Sequence, residues 1–134
     1  MKNERGITLV ELIAVLAIIG IISTLIISIL VNGIKASHRN TANQLLLQEA
    51  NYITEVIRKE YLRPDDSVIE IHINGNKTMT MNGIVISEGY TYKIENHNSM
   101  VAYIIDRGNP ADLKLTIKGQ GESYTIETTL SKVD

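Results

Sequence analysis

Glu11 is the one charged residue between Ile7 and Val31, a stretch in which 19 of 25 residues are Ile, Leu, Val or Ala. A carboxylate placed in a hydrocarbon layer costs about 2.5–3.5 kcal/mol at the centre and less near an interface. An acid in such a place is a functional candidate, and it asks for a partner. A shallow placement, with the carboxylate reaching the headgroup layer, is the plain alternative. Gly6 stands just before the run. Its missing side chain suits a tight turn or an extended conformation held by a protease.

Other reactive groups are scattered. His38, His72 and His97 lie 34 and 25 residues apart and do not have zinc-site spacing. Asp65-Asp66 follows Pro64, without the regular ligand spacing of a calcium loop, and reads as a solvated helix exit. The chain has no Cys, which excludes disulfides, thiolate metal sites and a cysteine nucleophile. No phosphate-binding glycine loop and no serine-nucleophile elbow occur. No catalytic constellation assembles, and neither cofactor nor metal is expected.

The element that positions Glu11 is a helix. Ile7–Val31 as a helix is about 37 Å long, enough to cross a hydrocarbon core of about 30 Å. A cleaved secretory signal has a shorter apolar region, roughly 7–15 residues, followed by a small-residue site that is missing here. Lys2 and Arg5 precede the run and Lys35 and Arg39 follow it, so charge alone leaves the orientation balanced.

Arg5-Gly6-Ile7-Thr8-Leu9-Val10-Glu11 resembles the signature of bacterial type IV prepilins and of competence or secretion pseudopilins. The resemblance covers the first 31 residues in detail. It implies a leader of residues 1–6 and cleavage between Gly6 and Ile7 by a prepilin peptidase. It also implies N-methylation of Ile7 and assembly through the apolar helix of residues 7–31. Partners would be other pilin or pseudopilin subunits, assembly platform proteins and the membrane. The N-terminus would lie in the cytoplasm, and the processed subunit would enter a cell-surface filament. Cleavage would leave a positive amine on Ile7, four residues from Glu11, a spacing that makes helical neighbours. In a staggered bundle, Glu11 instead meets the amine of the next subunit. Either pairing offsets the cost of a buried acid. The inter-subunit pairing is what the resemblance implies, and it would fix axial register as buried polar residues do in coiled coils. Ala14, Ala17 and Gly20 would let sister helices approach.

Three features depart from the common pattern. Ile7 stands where the family usually has Phe or Met, residues 23–28 lack the frequent Pro, and the absence of Cys forbids a C-terminal disulfide. The missing Pro and Cys favour a competence-type pilin, a secretion pseudopilin or a minor subunit.

Residues 32–134 read as a globular head. Ile34, Ala42, Leu46, Ala50, Ile53, Ile57 and Tyr61 recur mostly at three- and four-residue spacings and extend the helix to about residue 63. Pro64 stops it. Beyond residue 67, apolar and polar residues alternate at 69–73, 90–95, 113–118 and 124–130, the half-buried strand pattern. Residues 100–106 are apolar on both faces, as in a central strand. Asn-Gly and related pairs separate these runs. The expectation is an α+β fold: five to seven short antiparallel strands, mainly a meander, covered on one face by the helix stripe. Asp106–Asp112, the longest polar connector, reads as a surface recognition loop.

The net charge of −2 excludes a strongly basic nucleic-acid binder, and the lack of Trp and Phe weakens any base-stacking platform. Competence-type pili contact DNA, but residues 67–134 carry eight acids against six bases and no basic stripe. Direct nucleic-acid binding by this subunit is therefore not expected. A signal-anchored extracellular binding domain is the alternative reading; it explains the span but not Gly6 followed by Glu11.

The strands alone are too few residues for an independent core. Removing residues 1–31 is expected to leave a soluble, folded chain. Removing residues 1–62 is expected to abolish cooperative thermal unfolding, measured by circular dichroism.

Overall fold

The computed structural model describes residues 8–65, 67–75, 77–95 and 101–132. Helix α1 spans Leu9–Tyr61, followed by strands β1 (Val68–Asn74), β2 (Thr78–Met81), β3 (Ile84–Glu88), β4 (Thr91–Ile94), β5 (Tyr103–Asp106), β6 (Ala111–Gly119) and β7 (Glu122–Leu130). The chain divides into two compact units with the boundary after His38.

In the first unit, α1 passes through residues 23–28 and through Asn32-Gly33 without a break. With no Pro, no backbone donor is lost and no ring clashes with the preceding turn. Thr24 donates its hydroxyl to the Gly20 carbonyl at 2.8 Å, so this polar group is satisfied within the helix. The large apolar side chains from Leu9 to Val31 are 42–76% exposed. By length and composition this helix is able to cross a membrane.

In the second unit, α1 turns one stripe inward: Ala42, Leu46, Ala50, Ile53, Thr54, Ile57 and Tyr61 are buried. Ile34, expected in the same stripe, is exposed. Arg58 and Lys59 occupy the last turn, where cations oppose the helix dipole favourably.

The strands form two antiparallel sheets, ordered β3-β2-β1-β5 and β4-β6-β7. This corrects the expectation of one meander. The meander is confined to β1-β2-β3, and the chain leaves that sheet at Gly89 to pair β4 with β6. Residues 100–106 are also corrected. β5 pairs with β1 alone and lies at a sheet edge, because β2 already fills the other side of β1. Ile105 points into the core, whereas Ile104 is 59% exposed. Apolarity on both faces here reflects an exposed isoleucine, not burial between two neighbours. Met100 lies outside the described residues.

Two tight hairpins follow their sequence signals. Asn82-Gly83 and Gln120-Gly121 both have positive φ at each position, the mirror-image turn that matches strand twist. Gly119 is required for a different reason: a Cβ there would lie 2.7 Å from the Tyr90 ring.

One core draws on both sheets and the helix. Leu46, Ile53 and Ile57 of α1 meet Ile69 and Ile71 of β1, Met79 of β2, Ile105 of β5, Tyr92 of β4, Leu115 of β6 and Leu130 of β7. A buried polar chain crosses this core. Ser87 of β3 donates its hydroxyl to Glu49 of α1, so the bond with Tyr92 of β4 must be donated by the tyrosine. Burial, first of all, pushes the Tyr92 phenol above its ordinary range.

Ile53→Ala is expected to cost about 2–5 kcal/mol, the range for a large-to-small change in a packed core. Ile104→Ala, on the exposed face, is expected to change stability by about 0.5 kcal/mol or less. Urea unfolding of a chain starting at residue 32 checks both.

Candidate functional site

The first turn of α1 holds Glu11 in a reciprocal cap. Thr8 stands just outside the helix and Glu11 is its third residue. The Glu11 N–H donates to the Thr8 hydroxyl oxygen at 3.3 Å, and the Thr8 N–H donates to Glu11 Oε2 at 3.3 Å. The Thr8 hydroxyl also reaches Oε2, at 3.4 Å. This is a capping box, which satisfies two orphan amides at the helix start. It holds the carboxylate against the positive end of the helix dipole. An acid in an apolar run thereby gains partners within its own turn before any other chain arrives. Sequence reasoning missed Thr8, although the Thr-x-x-Glu spacing before an apolar run is the signal for such a box. Gly6 and Ile7, the expected processing pair, lie outside the described residues.

Ala14, Ala17 and Gly20 are exposed on the same helix, and a Cβ built at Gly20 would meet no atom within 4 Å. Among the described residues, nothing covers this small-residue region.

Within the Asp106–Asp112 connector, one residue departs from a surface placement. Arg107 is only 1% exposed. Its Nη2 donates to Glu60 near the end of α1 at 2.8 Å, and its Nη1 pairs with Asp65. A buried guanidinium is tolerable only when its charge and donors are matched. Nε has no partner among the described residues. Tyr61 fastens the same loop by donating its hydroxyl to the Asn109 carbonyl at 3.0 Å. Asp106 accepts from the Gly108 N–H at 2.8 Å and from Asn109 Nδ2 at 2.7 Å. Those two bonds hold its carboxyl below the usual range. The loop is thus a clasp on the helix exit.

Asp65 belongs to that clasp. It accepts from the Ser67 hydroxyl at 2.6 Å and the Ser67 N–H at 3.0 Å. These two bonds, and then Arg107, lower its pKa from 3.8 to about 2. Asp66 and His97 lie outside the described residues. Among the described residues, no group of three or more His, Asp or Glu is placed to hold a metal ion.

On the outward face of the three-stranded sheet, Lys114 lies 2.6 Å from Glu127 and 2.7 Å from Glu95. Glu127 first, and then Glu95, raises its pKa above the ordinary lysine range. Arg58 of α1 reaches over to donate to the Thr128 hydroxyl at 3.1 Å.

Residues 1–31 match the family described as the prokaryotic N-terminal methylation motif, the signal of type IV prepilin-like proteins. No curated protein and no solved structure matches the chain.

The Asp65 carboxyl is more acidic in the folded chain than in the unfolded one. Its stabilising effect is therefore complete above about pH 4 and is lost as the pH falls through about 2. Acid titration of folding, followed by circular dichroism, is expected to show a shallower loss over that window in Asp65→Asn than in the unaltered chain. The substitution lowers stability at neutral pH.

Proposed function

We propose that this protein is a structural subunit of a type IV pilus or pseudopilus. The observation that carries the reading is a methylation motif over residues 1–31 that includes an apolar helical stretch, Leu9 to Val31, left exposed among the described residues. In this reading a prepilin peptidase cuts between Gly6 and Ile7, removing residues 1–6, and Ile7 is N-methylated. The subunit is first a single-span membrane protein with a cytoplasmic N-terminus and an exterior head of residues 32–134. Assembly platform proteins then pass it into a filament, where sister helices replace lipid around residues 7–31.

Glu11 has a specific task in that transfer. The capping box orients its carboxylate, and the amine of Ile7 in the neighbouring subunit supplies the opposite charge. Removing either partner leaves an uncompensated charge in an apolar bundle, at a cost of about 3–5 kcal/mol. The pairing therefore sets axial register as well as attraction. The unbroken helix and the lack of cysteine fit a competence or secretion filament, with this chain as a minor subunit. The non-catalytic character of the subunit follows from the same reading.

Glu11→Leu is expected to keep normal levels of the protein in the membrane and to lower its amount in sheared surface material by about tenfold or more. That fold-change corresponds to roughly 1.4 kcal/mol or more of lost coupling. Unchanged sheared yield would contradict the assembly role.

A further inference from the structure

The outward face of the β4-β6-β7 sheet bears charge of opposite sign at its two ends. Strand registers define that face. Asp112, Lys114, Thr116 and Lys118 of β6 alternate with the buried Leu113, Leu115 and Ile117. Lys93 stands opposite Thr116, and Thr91 opposite Lys118. On the other side, Thr129, Glu127, Thr125 and Ser123 stand opposite Asp112, Lys114, Thr116 and Lys118. No apolar side chain lies among these positions.

At one end, Glu95, Asp112 and Glu127 surround Lys114, whose single charge answers one of the three acids. Asp112 accepts a hydrogen bond from the Thr129 hydroxyl at 2.7 Å, which leaves its charge in place. Beyond this end, Lys132 lies near Asp106, a neutral combination. The acidic end keeps a net charge of about −2. At the other end, Lys93 and Lys118 are diagonal neighbours on paired strands, both exposed. Neither makes an ion pair among the described residues. The nearby Glu122 is engaged by Arg39 at 3.7 Å. Adjacent like charges in a sheet cost energy that an opposite charge relieves. Thr116 and Thr125, hydrogen-bonded at 2.8 Å, share a row with Lys93, between the row of Glu95, Lys114 and Glu127 and the row of Lys118 and Ser123. Asp112 and Lys118 are six residues apart on one strand, about 20 Å.

We propose that this face is a contact between copies of the chain, in which the Lys93/Lys118 end of one subunit docks on the Glu95/Asp112/Glu127 end of the next. The inference rests on the filament reading above. Complementary charge identifies the occupant as a second copy, because each end presents what the other lacks. A head-to-tail contact between unlike ends leaves one acidic and one basic end free in the pair, so further copies can add to it, as an open filament requires. Exposed charge pairs of this kind act in partner choice and register more than in raw affinity.

The test uses the full chain in its own host, with sheared filament yield as the readout. Lys93→Glu combined with Lys118→Glu makes both ends acidic. Glu95→Lys combined with Asp112→Asn and Glu127→Gln makes both ends basic. Each variant alone is expected to give about tenfold less sheared material, with its melting temperature close to that of the unaltered chain. Co-expression of the two is expected to restore the yield, because unlike ends again meet; a folding defect would not be rescued in this way. Wild-type yield from either variant alone, while Glu11→Leu remains defective, would overturn the proposal and leave the filament reading standing. Low yield that co-expression fails to rescue would also overturn it. Loss of binding to polyphosphate with normal assembly would assign the lysine pair to a polyanion instead. Absence of the unaltered chain from sheared material would defeat the filament reading and this proposal together.

Discussion

From Leu9 to Val31 the helix presents large apolar side chains to nothing else among the described residues. Such a surface is costly in water, since each fully exposed Leu, Ile or Val forgoes about 1.5–3 kcal/mol of burial. Lipid satisfies it, and so do neighbouring helices of the same kind. A helix with both options can move from one to the other at little hydrophobic cost, because lipid tails are as apolar as leucine. In the proposed filament, what distinguishes the two environments is polar: the acid in the first turn and the amine proposed to meet it. The capping box of Thr8 and Glu11 answers part of that need within one chain. It leaves the carboxylate's net charge for another group to neutralise.

The head follows a different economy from the same helix. Its buried stripe supplies one wall of the core, and two small sheets supply the rest. Both sheets share the helix as a wall of that core. The helix exit is therefore secured. Arg107 draws Glu60 and Asp65 together, and Tyr61 holds the carbonyl of Asn109. The Glu49–Ser87–Tyr92 chain links α1 to one strand of each sheet. Polar ties of this type fix which arrangement the apolar groups adopt, since apolar contact alone is not directional.

Much of this was legible in the residues. The three- and four-residue recurrence from Ala42 to Tyr61 marked the inward stripe, and alternation marked β1, β4, β6 and β7. The Asn82-Gly83 and Gly119–Gly121 signals marked their hairpins. Alternation reports which face of a strand is buried, but not which strand lies beside it. The division into two sheets and the edge position of β5 were therefore hidden. The burial of Arg107 in the Asp106–Asp112 connector was hidden because Arg is rarely buried. Its partners lie 47 and 42 residues away, beyond any local pattern. Thr8 was a different kind of miss. Its signal is local, since a Thr three residues before Glu11 and ahead of an apolar run is the capping-box pattern. The expected Gly6–Ile7 cut and the methylation of Ile7 lie outside the described residues, and they stand on the motif.

The most direct measurement is the N-terminal sequence and intact mass of the protein sheared from the surface of its own host, beside the membrane fraction, where a prepilin peptidase is active. The account expects a chain beginning at Ile7, with or without one added methyl group, present in the sheared material. A chain beginning at Met1 and confined to the membrane fraction would contradict it, and would instead describe a head held at the membrane by an uncleaved anchor.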